Sequence, residues 1–289
     1  MKPPVFIIGG SRTGSEMLKT MLSVSPDLDF VDELFLLCPR WLHTDLATRL
    51  AMDVGDVGAP GAVDDVLDVL FSGRPYGWVW TVAEKKFDRG RLREELAGTS
   101  LSLRDVLAAL MTVHAEGRGK HGHGAKFPTH YSYTRQLLEW FPACKLIHTT
   151  RDPRAVYASQ ASKYISAADP WHKRGWMRLR QFAHVNIQVS WTARLHRQLA
   201  PLSNYRLVRY EDVVRDPHGQ LSSLCDFLEV DFLPEMLEPR QYGSSFEPAG
   251  RRGVNQASLD KWRERASRVA TGAIWLMHPR ARRLLGYVA

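Results

Sequence analysis

Cysteine is scarce: Cys38, Cys144 and Cys225 are the only three in 289 residues, far apart and in no Cys-x-x-Cys spacing. That excludes a disulfide framework and a thiolate metal site, and points to reduced, mostly buried thiols. Long apolar runs are also missing. The one before Gly9 is four residues long, too short for a signal-peptide core, and none later approaches a membrane span. The expectation is a cytoplasmic protein with no membrane span. There is no internal repeat, no low-complexity segment and no long Lys/Arg tract. A formal charge of +8 therefore calls for an anionic partner, but without a basic-aromatic binding motif that partner is not nucleic acid. His121-Gly-His123 has no acid or thiol company and reads as a solvated loop, so no metal is expected there.

What is present is an ordinary globular composition, 44% hydrophobic and 24% charged, in a length that suits one large α/β domain over residues 1–289. The chain is organised around Val5 to Leu18. Val5-Phe-Ile-Ile8 reads as a buried strand, the loop through Gly9, Gly10 and Gly14 lets backbone approach a ligand, and Met17, Leu18, Met21 and Leu22 form the apolar face of a helix. Strand, glycine loop and helix N-terminus make an anion site. The spacing Gly9-x4-Gly14 nearly forms a nucleoside-triphosphate loop, yet Ser15 and Glu16 stand where Lys and Ser/Thr are required. Arg12 in the loop suits an oxyanion without a metal. Thr13-Gly-Ser-Glu16 has the pattern of a capping box, which would turn Glu16 back to the Thr13 backbone.

After a turn at Ser25-Pro-Asp27, Leu28 to Val31 reads as a second strand ending at Asp32-Glu33. If it lies beside the first, Glu33 reaches the carboxyl edge where open α/β sheets bind ligands. There it is either a general base or a solvated acid that caps the Leu34–Leu37 turn. Residues 40–120 show no convincing parallel strand and look largely helical, with Leu42–Leu50, Val63–Phe71 and Leu103–His114 the periodic segments. Their many aromatics fit a lid insertion or a core. Helix is expected again near Thr134–Phe141, strand over Cys144–Thr150, and a helix from Pro153 to about Tyr164 capped by Asp152. On that helix Ser159 and Lys163 share a face, with Arg151 at its entrance, so the three can meet one anion. A long helix over about Trp176–Leu199, a strand over Tyr205–Tyr210 and a helix opened by Asp216-Pro217 follow. Pro239–Gly253 reads as an exposed loop, and Pro279 to Gly286 as a final basic helix.

These separated motifs together resemble the PAPS-dependent sulfotransferases (PAPS is 3′-phosphoadenosine-5′-phosphosulfate), especially their bacterial and tyrosylprotein-type branch. Arg12-Thr-Gly-Ser-Glu16 is similar to the family's 5′-phosphosulfate loop, which implies cofactor contacts from Arg12, Thr13, Gly14 and Ser15. Arg151-Asp-Pro-Arg-Ala-Val-Tyr-Ala-Ser159 resembles its 3′-phosphate motif, with Lys163 as a second basic residue. Val208-Arg-Tyr-Glu-Asp212 resembles its later strand-end motif and makes Tyr210 a contact. Val254-Asn255 and Ser258-Leu-Asp-Lys-Trp262 resemble the late loop that closes over the cofactor, implicating Asn255, Ser258 and Lys261. Ser25-Pro-Asp27 followed by Glu33 is similar to the pattern whose glutamate is the base. Lys126 lies where the family carries a lysine near the acceptor; its other reading is a surface lysine before a proline turn.

The resemblance implies a P-loop-like parallel sheet of about five strands flanked by helices, with a helical acceptor-binding insertion at about 40–120. It implies metal-free sulfuryl transfer from PAPS, giving PAP, to a hydroxyl of a small molecule, glycolipid or saccharide. Glu16 and Ser25 depart from the pattern. A P-loop kinase-like phosphotransferase, and a noncatalytic nucleotide-binding protein of the same fold, are the competing readings.

Overall fold

The computed structural model describes residues 2–32, 37, 46–54, 56, 59, 61–71, 87–126, 128–238 and 253–287. Five parallel strands, β1 (Val5–Ile8), β2 (Asp29–Asp32), β3 (His123–Lys126), β4 (Lys145–Thr150) and β5 (Tyr205–Arg209), form one sheet in the order β2-β3-β1-β4-β5. Helix α1 (Ser15–Leu22) follows β1. Between β2 and β3 come α2 (Leu46–Asp53), α3 (Ala62–Phe71), α4 (Arg89–Leu96) and α5 (Leu103–Glu116). Then α6 (Thr134–Trp140) leads to β4, and α7 (Pro153–Tyr164) and α8 (Trp171–Leu199) lead to β5. The chain ends with α9 (Tyr210–Arg215), α10 (Pro217–Leu228), α11 (Lys261–Arg265), α12 (Arg268–Met277) and α13 (Pro279–Leu284). Among the described residues no helix is long and apolar enough to cross a membrane.

By contacts the chain divides into two compact units, Met1–Ile8 with Ser25–Leu146, and Gly9–Val24 with Ile147–Ala289. In the first unit β3 pairs with β1 (Val5 opposite Gly124, Phe6 opposite Ala125) and with β2 (Asp29 opposite His123, Asp32 opposite Lys126). Its core is aliphatic and aromatic: Phe6, Phe30, Leu92, Val106, Leu107 and Leu110 are all buried. Each such side chain contributes about 1.5–3 kcal/mol relative to exposure. In the second unit Val156, Tyr157, Val185, Val189 and Ile274 form one cluster, and α10 buries Leu221, Leu224, Cys225 and Leu228.

Most expected elements are present, and α7 starts as its sequence indicates, with Pro153 in its first turn and the Asp152 carboxylate accepting from Arg154 N–H. Three differ. His121-Gly-His123 is not a solvated loop, since His123 opens β3 and is 8% exposed. Gly122 belongs there because a Cβ would stand 2.3 Å from the Asp27 carbonyl; the glycine that suggested a loop marks two backbones in close approach. Helix α4 was missed because it is mostly charged, and its order rests on an Asp88 cap and two buried leucines, Leu92 and Leu96. Helix α8 begins at Trp171, five residues before the expected start, because Pro170 is its N-cap and Asp169 pairs with Lys173 at 2.6 Å across the first turn. All but Gly253 of the loop expected over Pro239–Gly253, the rings of Trp41, Tyr76, Trp78 and Trp80, and Cys38 lie outside the described residues. Cys144 and Cys225 are buried, and burial pushes their thiols up to about 12 and about 11, so neither is a thiolate nucleophile.

Candidate active site

The second unit contains the glycine loop, the Arg151 turn, the end of β5 and the late segment near Ser258. Gly14 is the N-cap of α1 with φ 91°, a left-handed conformation that L side chains rarely adopt. A Cβ there would lie 2.5 Å from the Tyr210 ring, so the loop and the end of β5 can meet only at a glycine. The first N–H groups of α1 have no carbonyl of their own helix to bond and point out of its N-terminus. Gly14, and not Thr13, is the N-cap, and Glu16 pairs with Lys19 at 2.6 Å. Thr13 is buried, its hydroxyl 2.8 Å from the Gly10 carbonyl and 2.7 Å from the Thr149 hydroxyl. Its side chain thus holds the loop shut, and its backbone is what it can offer a ligand.

Arg12 also has positive φ, 69°, which costs a non-glycine residue about 1–3 kcal/mol. Its Nε donates to the Ser159 hydroxyl oxygen at 2.9 Å, tying the loop to α7. Ser159 is fully buried and, as acceptor in that bond, keeps its own O–H for a ligand. Around Arg151 the arrangement is tighter. Its guanidinium carbon sits 4.1 Å from the centre of the Tyr210 ring, and one amino group donates to the Ser258 carbonyl at 3.4 Å. Tyr210 and Ser258 share a hydroxyl bond of 2.6 Å. The Arg151 Nε is buried with no hydrogen-bond partner among the described residues. A buried donor left so costs stability unless a bound anion takes it.

The turn carrying Arg151 is pinned from behind. Asp152 N–H donates to the Glu211 carboxylate at 2.8 Å, and the Tyr287 hydroxyl donates to the other oxygen at 3.0 Å. Burial raises the Glu211 pKa against these bonds. Arg154 chelates the Asp152 carboxylate and lies against two indoles, 4.5 Å from Trp262 and 3.6 Å from Trp275. Sequence reasoning missed Glu211, Tyr287 and Arg154. It also missed Gln188, whose amide donates to the Ser11 carbonyl at 3.1 Å from the buried face of α8. A glutamine between Val185 and Val189 was the available signal, since a buried amide must bond something.

The remaining candidates are less tied together. Lys163 is exposed on the last turn of α7, with its ammonium 5.5 Å from the Tyr164 ring centre. Asn255 caps the short helix Gln256–Leu259 by accepting from Ala257 N–H, and Lys261 opens α11 half-buried. In the first unit, Lys126 ends β3 opposite Ile7 and Asp32 at 2% exposure, so it is not a surface lysine. Glu33 lies outside the described residues.

A glycine loop entering a helix from a parallel strand, with Arg12 fixed on α7 and Arg151 stacked at a second helix entrance, is a P-loop-like arrangement. The chain belongs to the Sulfotransferase family, whose profile matches residues 3–234. It is 28% identical over 268 residues to omega-hydroxy-beta-dihydromenaquinone-9 sulfotransferase of Mycobacterium tuberculosis, covering 83% of this chain and 66% of that protein. It is 23% identical over 271 residues to human carbohydrate sulfotransferase 6, covering 80% of this chain and 65% of that one. The chain thus spans just under two thirds of the curated relatives it matches. Among solved structures, the sulfotransferase domain of the curacin biosynthetic pathway superposes with TM-score 0.57 at 22% identity over 96% of this chain and 98% of that one. The sulfotransferase domain of the Synechococcus olefin synthase gives 0.53 at 24% identity over 96% of each chain. Both share the fold.

Proposed function

We propose that the protein transfers a sulfuryl group from PAPS to a hydroxyl of a small molecule, glycolipid or saccharide. The observation that carries this reading is the convergence of four separated motifs on two arginines, with Arg12 bonded to Ser159 and Arg151 held by Tyr210 and Ser258. PAPS supplies the sulfuryl group, activated by its 5′-phosphate. Arg12, the N–H groups of Gly14 and Ser15, and Lys261 stabilise the charge that grows on that phosphate as the bond to sulfur breaks. Arg151, the Ser159 O–H, Lys163 and Tyr210 hold the 3′-phosphate, and Asn255 and Ser258 belong to the segment that closes over it. The donor set is cationic and neutral, so no metal is needed to balance the phosphates. The family pattern assigns the stretch at about 40–120 to shaping the acceptor site and Lys126 to the acceptor oxygen. Relatives named for a hydroxylated dihydromenaquinone and for carbohydrates favour an alcohol as acceptor.

Glu33 is assigned as the base that takes the acceptor proton, on its position after β2 and its match to the family pattern. Incubation with PAPS and cell extract, followed by mass spectrometry, should reveal a product heavier by one sulfuryl group. With that acceptor, Glu33→Gln keeps shape and removes basicity, and should lower kcat by about 10²–10⁴-fold while PAP affinity stays near wild type. Asp32→Asn should do much less, because the family pattern matches Glu33 and not Asp32. Near-normal turnover of Glu33→Gln would sink the assignment.

A further inference from the structure

Helix α8 is 29 residues long and presents to solvent a stripe that the anion site does not use. Trp176, Leu179, Ala183, Ile187, Trp191 and Arg194 recur at three- and four-residue spacing and are all exposed, while Val185, Val189 and Thr192 occupy the opposite, buried side. The apolar members of the stripe are far out of the core, at 61% for Trp176, 66% for Leu179, 55% for Ile187 and 44% for Trp191. An exposed helix face normally mixes charges of both signs. This one does not, because no aspartate or glutamate occurs from Pro170 to Tyr210, whereas α8 carries Lys173, Arg174, Arg178, Arg180, Arg194 and Arg197.

Helices α12 and α13 pack beside α8 and continue the same composition. Glu264 is the last acid of the chain, and beyond it Val269, Leu276, Met277 and Leu284 are exposed together with Arg268, Arg280 and Arg283. Between α8 and α13 an open groove of about 490 Å³ is lined by Arg194, Arg197, His278 and Arg280 around Met277 and Leu284, with no carboxylate among the described residues of its wall.

We propose that this face docks the protein on a bilayer rich in anionic phospholipid, with α8 lying along the surface. Lipid phosphates meet the arginines of the groove, and Trp176, Trp191, Leu276 and Met277 enter the boundary between headgroups and acyl chains. The aliphatic groups decide between polyanions. Leu179, Ile187 and Leu276 gain nothing from a sugar–phosphate backbone but are removed from water by acyl chains, and tryptophan favours the membrane interface. A second copy of the chain is excluded as occupant by charge, since a face of one sign repels its twin. The proposal does not depend on which acceptor the protein uses.

Sedimentation of the full chain with phosphatidylcholine vesicles, with and without phosphatidylglycerol, tests it. Binding should require phosphatidylglycerol and weaken as salt is raised. The double variant Arg194→Glu/Arg280→Glu should weaken binding on the order of tenfold or more. Trp191→Ser/Leu276→Ser should remove the part of binding that persists at high salt, and both variants should melt like wild type and keep its PAP affinity. Absence of binding, equal binding to neutral vesicles, or wild-type binding by the well-folded arginine variant would each overturn the proposal. An RNA oligonucleotide bound by a protein that ignores vesicles would overturn it in favour of nucleic acid. Failure of the wild type to bind PAP would count against the sulfotransferase reading and leave this one standing.

Discussion

Helix α4 in the first unit and the Arg151 turn in the second hold arginine in opposite ways. In the first, Arg91 is ringed by Glu94, Glu95 and Glu116 on the surface, and Arg93 pairs with Asp64 and Arg89 with Asp68. These carboxylates raise the Arg91 pKa and neutralise its charge, and all of these arginines are exposed enough for water and salt to screen them. In the second unit Arg151 is fixed by an aromatic ring and a carbonyl, both neutral, and it is half-buried. Its position is settled while, among the described residues, no carboxylate pairs with its charge. One set of arginines covers a surface whose stability comes from the aliphatic core beneath it, and the other waits for an anion.

Four substitutions or conditions would break or sharpen that contrast. The largest expected effect is on the first unit's core: Leu107 has no exposed surface, and Leu107→Ala should lower unfolding free energy in denaturant titration by about 2–5 kcal/mol. Next comes Arg151→Ala. Hydrogen bonds to a charged group are worth about 1.5–3 kcal/mol, so PAP affinity by calorimetry should fall tenfold to a hundredfold or more, with Arg151→Lys between it and wild type because it keeps charge and loses the ring stack. Unchanged affinity in a folded Arg151→Ala protein would remove the second unit's half of the comparison.

Acid sensitivity is the third test. His148 is fully buried on β4 with its Nδ1 2.9 Å from the Tyr205 hydroxyl, and that hydroxyl also meets His196 Nδ1 at 3.0 Å. Burial, with His196 adding, lowers the His148 pKa from 6.5 to about 3. Between those values the unfolded chain binds a proton that the folded one refuses, so stability is intact above about pH 6.5 and declines as pH falls toward 3. The slope approaches about 1.4 kcal/mol per pH unit for one proton. Melting curves of wild type and His148→Leu should therefore converge as the pH is lowered, and parallel curves would show that another group sets the slope. The smallest effect belongs to Arg91→Ala, which should leave the melting temperature nearly unchanged despite its three carboxylate neighbours.

Local signals in the sequence reached far. Glycine spacing, an apolar tetrapeptide and a proline preceded by aspartate were enough to place β1, α1 and α7, because strand burial, positive φ and helix capping depend on a few neighbouring residues. Arg12 and Arg151 were readable for the same reason, whereas Tyr210 and Ser258 were pointed to by the family resemblance alone. Contacts between residues more than fifty positions apart were not readable. That Ser159 accepts from Arg12, that Glu211 holds the Asp152 N–H, and that Gly14 is required by the ring of Tyr210 depend on which strands lie side by side. The same limit made His123 look solvated and left a surface position open for Lys126, since a four-residue strand has no periodicity to read and is buried by its neighbours alone. Composition and short-range pattern thus specified the elements and the chemistry of the anion site. Which neutral partners fix each arginine, and how far Arg151 keeps its charge for a ligand, followed from packing, because burial and hydrogen-bond geometry are properties of surfaces brought together.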